Sequence, residues 1–171
     1  MSITLDGSNL TTVGVINSGT AVASTSGTSI NFTSIPAGVK RITVMFNGVS
    51  VSGTSVIQVQ LGTSSGVETT GYLTMVGLVS TTNNITRGVI STSAFAIATG
   101  GAASESWKGN IVFTLFGSNS WTGTGNFYNG LDGITMSAGT KTTASTLDRI
   151  RITTVNGTDT FDAGSVNILY E

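Results

Sequence analysis

The run Trp121-Thr-Gly-Thr-Gly-Asn-Phe-Tyr128 is the densest gathering of aromatics and glycines in the chain. Two rings and an amide at this spacing suggest carbohydrate binding, with Trp121 and Tyr128 stacked on a sugar ring and Asn126 supplying polar contacts. A dinucleotide fingerprint fails here. Its third glycine would fall at position 128, where the chain has tyrosine, and no helix-forming stretch follows. The same run also reads as a glycine-flanked strand whose aromatics cover neighbouring backbone. Trp121, Asn126 and Tyr128 are thus candidate ligand contacts, with the strand reading standing beside them.

The acids offer less. Of eight carboxylates, Asp159 and Asp162 fall in a turn region, where carboxylates accept backbone hydrogen bonds. The alternating acids and closing glutamate of a calcium loop are absent. A glycosidase needs two carboxyl groups about 5–10 Å apart across a cleft, and no spacing singles out such a pair. Arg149 and Arg151 share the outward face of one strand, with Asp148 on the inner parity. Pairing with a neighbouring strand or subunit is the ordinary expectation for them, and contact with an anionic glycan the sharper one. The chain has no histidine and no cysteine, which removes imidazole bases, thiol nucleophiles, disulfides and the common zinc sites. No catalytic residue, metal or cofactor is expected.

These residues must be positioned by strands. Apolar residues alternate at Ile30/Phe32, Ile42/Val44/Phe46, Ile57/Val59/Leu61, Phe95/Ile97, Ile111/Phe113/Leu115, Ile150/Ile152 and Val166/Ile168/Tyr170. This period of two marks half-buried antiparallel strands. Trp107 shares parity with Ile111 and Phe113, which places it inside at a sheet end. Asn47-Gly48, Asn129-Gly130, Asp132-Gly133 and Asn156-Gly157 punctuate the runs as turns. No long stretch carries helical apolar spacing. Many short strands between turn signals predict an all-β fold, an antiparallel, jelly-roll-like β-sandwich over residues 25–171. Residues 1–24 are poorer in core side chains and read as an N-terminal arm or edge strand that pairs with another subunit or with the particle.

Length and charge set the partners. A chain of 171 residues holds one ordinary core. Its net charge of −1, with seven scattered basic residues, excludes a sizeable phosphate-binding surface and so nucleic acid. No apolar run approaches the ~20 residues of a membrane-spanning helix, and the first residues lack the pattern of a secretory signal. Ser, Thr and Gly make up 75 of the 171 residues. They give neutral, hydrogen-bonding faces that pack against copies without a large charge-desolvation cost.

The stretch Ile35-Pro-Ala-Gly-Val-Lys-Arg-Ile-Thr-Val-Met-Phe-Asn-Gly-Val-Ser-Val-Ser-Gly-Thr-Ser55, continuing to Val59-Gln-Leu-Gly62, resembles a module of bacteriophage virion proteins found at the ends of tail-fibre-type chains. The closing segment Leu147–Glu171 is similar to the end of that module, and Ile3-Thr-Leu-Asp-Gly-Ser8 to the start of many phage fibre proteins. The resemblance implies a non-enzymatic virion structural protein of tail-fibre or receptor-binding type. It would assemble as a homotrimer with other virion proteins and make multivalent contacts to a host-surface glycan. Shaft, collagen-like repeat and coiled coil are missing. The alternative is a capsid decoration (cement) protein, docked on the phage head by an arm at Met1–Val22.

Overall fold

The computed structural model of the chain describes residues 16–81 and 86–171. Fourteen strands run in order as β1 (Asn17–Ser18), β2 (Val22–Ala23), β3 (Ser29–Phe32), β4 (Arg41–Val51), β5 (Ile57–Thr63), β6 (Gly66–Val67) and β7 (Tyr72–Ser80). They continue as β8 (Thr86–Ser91), β9 (Phe95–Ala96), β10 (Trp107–Gly117), β11 (Ser120–Tyr128), β12 (Gly133–Thr142), β13 (Leu147–Thr154) and β14 (Phe161–Tyr170). Nine strands form one sheet in the order β1-β14-β4-β10-β11-β12-β7-β8, with β2 also on β14. Five form the other in the order β3-β13-β5-β6, with β9 on β5. Strand pairings are antiparallel, and the chain is an all-β sandwich, as the alternation predicts.

The predicted alternating residues supply the core. Ile42, Val44 and Phe46 of β4, Ile111 and Phe113 of β10, and Ile168 of β14 face Ile57, Val59 and Leu61 of β5 and Ile150 and Ile152 of β13. Trp107 is buried, as its parity requires. Phe95 meets Tyr72 and Phe113 edge-to-face, with centroids 5.7 and 5.0 Å apart. That arrangement sets positive ring edges against negative faces.

The two sheets differ in width, and the difference shapes everything outside the core. Beneath β7 and β12 the inner layer is the buried segment Ala94–Ala98. Only Phe95 and Ala96 of this short segment pair in a ladder, on β5, so side chains satisfy carbonyls on either side of that pairing. Thr74 donates to the Ala94 carbonyl (2.7 Å) and Thr135 to the Ile97 carbonyl (2.5 Å). Interior hydroxyls are needed there because a buried carbonyl without a partner is costly.

Residues 17–18 and 22–23 of the predicted arm or edge strand form edge strands, on β14 of their own sheet, and Ser24 is buried against β14. Residues 1–15 of that arm lie outside the described residues. Asp148 does not keep to the inner parity. A register shift between Leu147 and Arg149 brings its carboxylate to the Arg149 guanidinium at 2.7 Å. Arg151 instead reaches Asn31 on neighbouring β3, with Nε donating to Oδ1 at 3.1 Å. Gln58 and Gln60, on the polar parity of β5, are also buried.

Candidate functional site

Strand β11 separates the three candidate ligand contacts. Its odd positions face the core and its even positions face solvent. Trp121 is only 3% exposed and packs in the core, so it cannot stack on a ligand from solvent. Its glycine neighbours are there for packing. A Cβ at Gly123 would lie 2.6 Å from the Phe95 ring and 2.8 Å from the Phe113 ring. The strand reading of this run therefore holds for Trp121. Asn126 and Tyr128 emerge on the opposite, outer face, where Tyr128 is 42% exposed and donates its hydroxyl to the Leu131 carbonyl (3.2 Å).

Register shows what surrounds them. Tyr128 lies between Lys108 of β10 and Ile134 of β12, with the Lys108 ammonium 5.9 Å from its ring centroid. Asn126 lies between Asn110 and Met136. Past β12 the face turns apolar: Ile134 is opposite Val79, Met136 opposite Gly77, and Met75 opposite Ile90 of β8. Met75 bends over Gly88, where a Cβ would meet its terminal methyl at 2.3 Å. One face thus grades from amides, hydroxyls and a cation–π pair to an exposed hydrocarbon patch.

At the β8 end the two sheets part and leave a groove of about 420 Å³. Val56, Val89, Ala96, Ala98 and Val155 line it together with serine and threonine residues. This volume lies within the range of small-molecule sites.

The acids sit elsewhere and serve the loops. Asp159 accepts the Ser55 amide (2.9 Å) and the Asn156 side-chain amide (2.7 Å). The Asn156 bond, aided by the Ser55 amide, holds its carboxyl below the usual carboxylate range. Asp162 accepts the Ser50 hydroxyl. Glu105 lines a cavity of about 170 Å³ with Trp107 and Asn129. Burial is the main cause that pushes its carboxyl up, with the Asp132 charge adding to it. Glu105 accepts the Ala102 amide at 3.1 Å, and Asp132 accepts the Ser80 hydroxyl at 2.9 Å. Both carboxylates are engaged in tying loops. Among the described residues no three acids gather in a way that would hold a metal ion.

No protein-family model, curated protein or solved structure matches this chain. Its functional chemistry must be read from this surface. The outer face of the larger sheet can bind by hydrogen bonds and ring stacking around Asn126 and Tyr128, and by hydrocarbon contact around Met75 and Ile134. The sequence signal for the second half was present as alternation at Leu73/Met75 and Ile134/Met136/Ala138. Alternation of that kind ordinarily marks core-facing positions, and here it marks the outside.

Proposed function

We propose that this chain is a non-enzymatic structural subunit of a bacteriophage virion, of tail-fibre or receptor-binding type, that attaches to the host surface through many weak contacts. The observation that carries this reading is the broad outer face of the nine-stranded sheet. It is poor in charge, rich in amides and hydroxyls, and without a second layer over it among the described residues. A glycan contact at Asn126, Tyr128 and neighbouring Asn110 is weak in one copy. Repetition on a homotrimer and around a particle raises it by avidity without any new contact. The resemblance of residues 35–62 and 147–171 to phage fibre modules supports the same conclusion.

The test is a labelled-antibody map of the protein on intact particles by electron microscopy. Label at the tail is expected. Label over the head would replace attachment with capsid decoration. Particles that bind antibody only after disruption would overturn both.

A further inference from the structure

We infer that the hydrocarbon half of the outer face is the surface through which a second copy of this chain docks. The inference rests on the homo-oligomer part of the proposed function and not on its virion part. Leu73, Met75 and Val79 of β7, Ile90 of β8, and Ile134 and Met136 of β12 are each between 44% and 71% exposed, and strand register makes them neighbours. With an aliphatic or methionine side chain offering less than the roughly 150–250 Å² of an aromatic one, they present roughly 500 Å² of apolar surface, in the upper part of the range for a monomer's largest patch. Leu131 and Tyr128 at the margin bring this to roughly 700 Å², close to the about 800 Å² that one partner buries in a standard stable interface.

Two further features select a copy of this chain as the occupant. The patch carries no charged side chain, so two such faces meet without repulsion or buried unpaired charge. The patch also runs out to β8, the edge of the sheet that no strand covers among the described residues, whereas β1 and β2 close the opposite edge on β14. Strand β8 lacks the usual protections of a free edge. Its register with β7 is unbroken from Thr86 to Ser91, it has no proline, and Arg87 is its one charge. A copy seated on the patch covers hydrocarbon and edge together. A glycan has no use for this half of the face. An anionic lipid surface would call for a basic rim, which a chain of net charge −1 with Lys108 at the patch margin does not supply.

The test is sedimentation velocity of the full chain from about 1 to about 300 µM, concentrations at which interfaces of this size assemble. The wild type is expected to associate. Met75→Lys combined with Ile134→Lys should move the association midpoint at least about tenfold higher. Phe116→Lys removes a more exposed apolar side chain away from the patch and should leave the midpoint unchanged. Should the lysine pair lose its native near-ultraviolet signal, Met75→Gln with Ile134→Thr provides the same comparison without charge. A wild type that associates equally with and without these changes overturns the assigned surface but leaves the oligomer. A monomeric wild type overturns both. Monomers that bind neutral phosphatidylcholine vesicles through the patch would replace the second copy with lipid.

Discussion

Lys141 is the most telling side chain to perturb, because it crosses from one sheet to the other. It belongs to β12, yet its side chain is 6% exposed, and its ammonium lies 2.5 Å from Glu68, just after β6 on the smaller sheet. It also sits 5.2 Å from the centroid of the Tyr72 ring. Lys141→Met keeps the length of the stem but removes the charge, leaving the Glu68 carboxylate half of a broken pair. Removing one partner of a buried pair costs about 3–5 kcal/mol. The Glu68 side chain is 19% exposed and still accepts the Ala144 amide at 2.8 Å. That residual solvation places the expected loss at or just below the lower bound, about 2–3 kcal/mol. At about 2–4 °C per kcal/mol for a chain of this size, the melting midpoint falls by roughly 4–12 °C. Lys141→Met with Glu68→Gln removes both charges and should recover to within about 1 kcal/mol of wild type. Urea unfolding of the four chains, followed by circular dichroism, measures the coupling directly, and more than about 1 kcal/mol is expected. A coupling under about 0.5 kcal/mol, or a double variant no better than Lys141→Met, would refute the view that this pair joins the layers.

Three other outcomes follow from the geometry. The Tyr72 hydroxyl accepts the Leu61 amide (2.8 Å) and donates to the Glu68 carbonyl (2.9 Å), so Tyr72→Phe should cost about 1–3 kcal/mol by urea titration. Burial pushes the Tyr72 phenol far above its ordinary value of 10, so the unfolded chain releases this proton before the folded one does. Stability should be insensitive to this group below about pH 10 and fall above it, and alkaline unfolding of Tyr72→Phe should lose that component. Burial likewise raises the Glu105 carboxyl, so its ionised form at neutral pH opposes folding, and the penalty appears as pH rises from the ordinary glutamate value through the raised one. Glu105→Gln should therefore stabilise by a fraction of a kcal/mol at pH 7 and have no such effect near pH 4, measured as melting midpoints. Asn126→Ala and Tyr128→Ala should weaken adsorption to host cells with stability changes within about 0.5 kcal/mol, whereas Trp121→Ala should cost about 3–5 kcal/mol as a core deletion.

Legibility tracked polarity. Strands β4, β5, β10, β13 and β14 were readable because their apolar side chains face the core, and Asn156-Gly157 does turn the chain between β13 and β14. Asn47-Gly48 instead lies inside β4, where Gly48 takes a φ of 68° at a register shift against β14. Trp107 was readable by the same parity. Strands β7 and β12 were not: β12 reverses the rule, with Thr135 and Ser137 inward and Ile134 and Met136 out, and β7 is apolar on both faces, with Tyr72 and Val76 beside Thr74 inside and Leu73 and Met75 outside. The Thr74 and Thr135 hydroxyls answer the carbonyls of Ala94 and Ile97, a long-range requirement that no local pattern announces. Lys141 and Glu68, 73 positions apart, were opaque for the same reason. Of the candidate contacts, Asn126 and Tyr128 reach the surface and Trp121 does not. Aromatic density alone does not distinguish a stacking platform from a core ring when a strand shows one residue to each side.

The reversed strand also bears on misfolding. A slip of β12 by one residue would carry Ile134, Met136 and Ala138 into the interior and Thr135 and Ser137 into water, an exchange that hydrophobic burial alone favours. What opposes the slip is directional. The Ile97 carbonyl would lose its Thr135 donor, and an equivalent slip in β7 would take Thr74 from Ala94. The interior hydroxyls therefore work as keys of alignment, rejecting a pairing that would otherwise trap the chain. Thr135→Val, nearly equal in volume, would keep the packing and remove the key. Its mark would be a slow or heterogeneous refolding phase out of proportion to the single hydrogen bond lost.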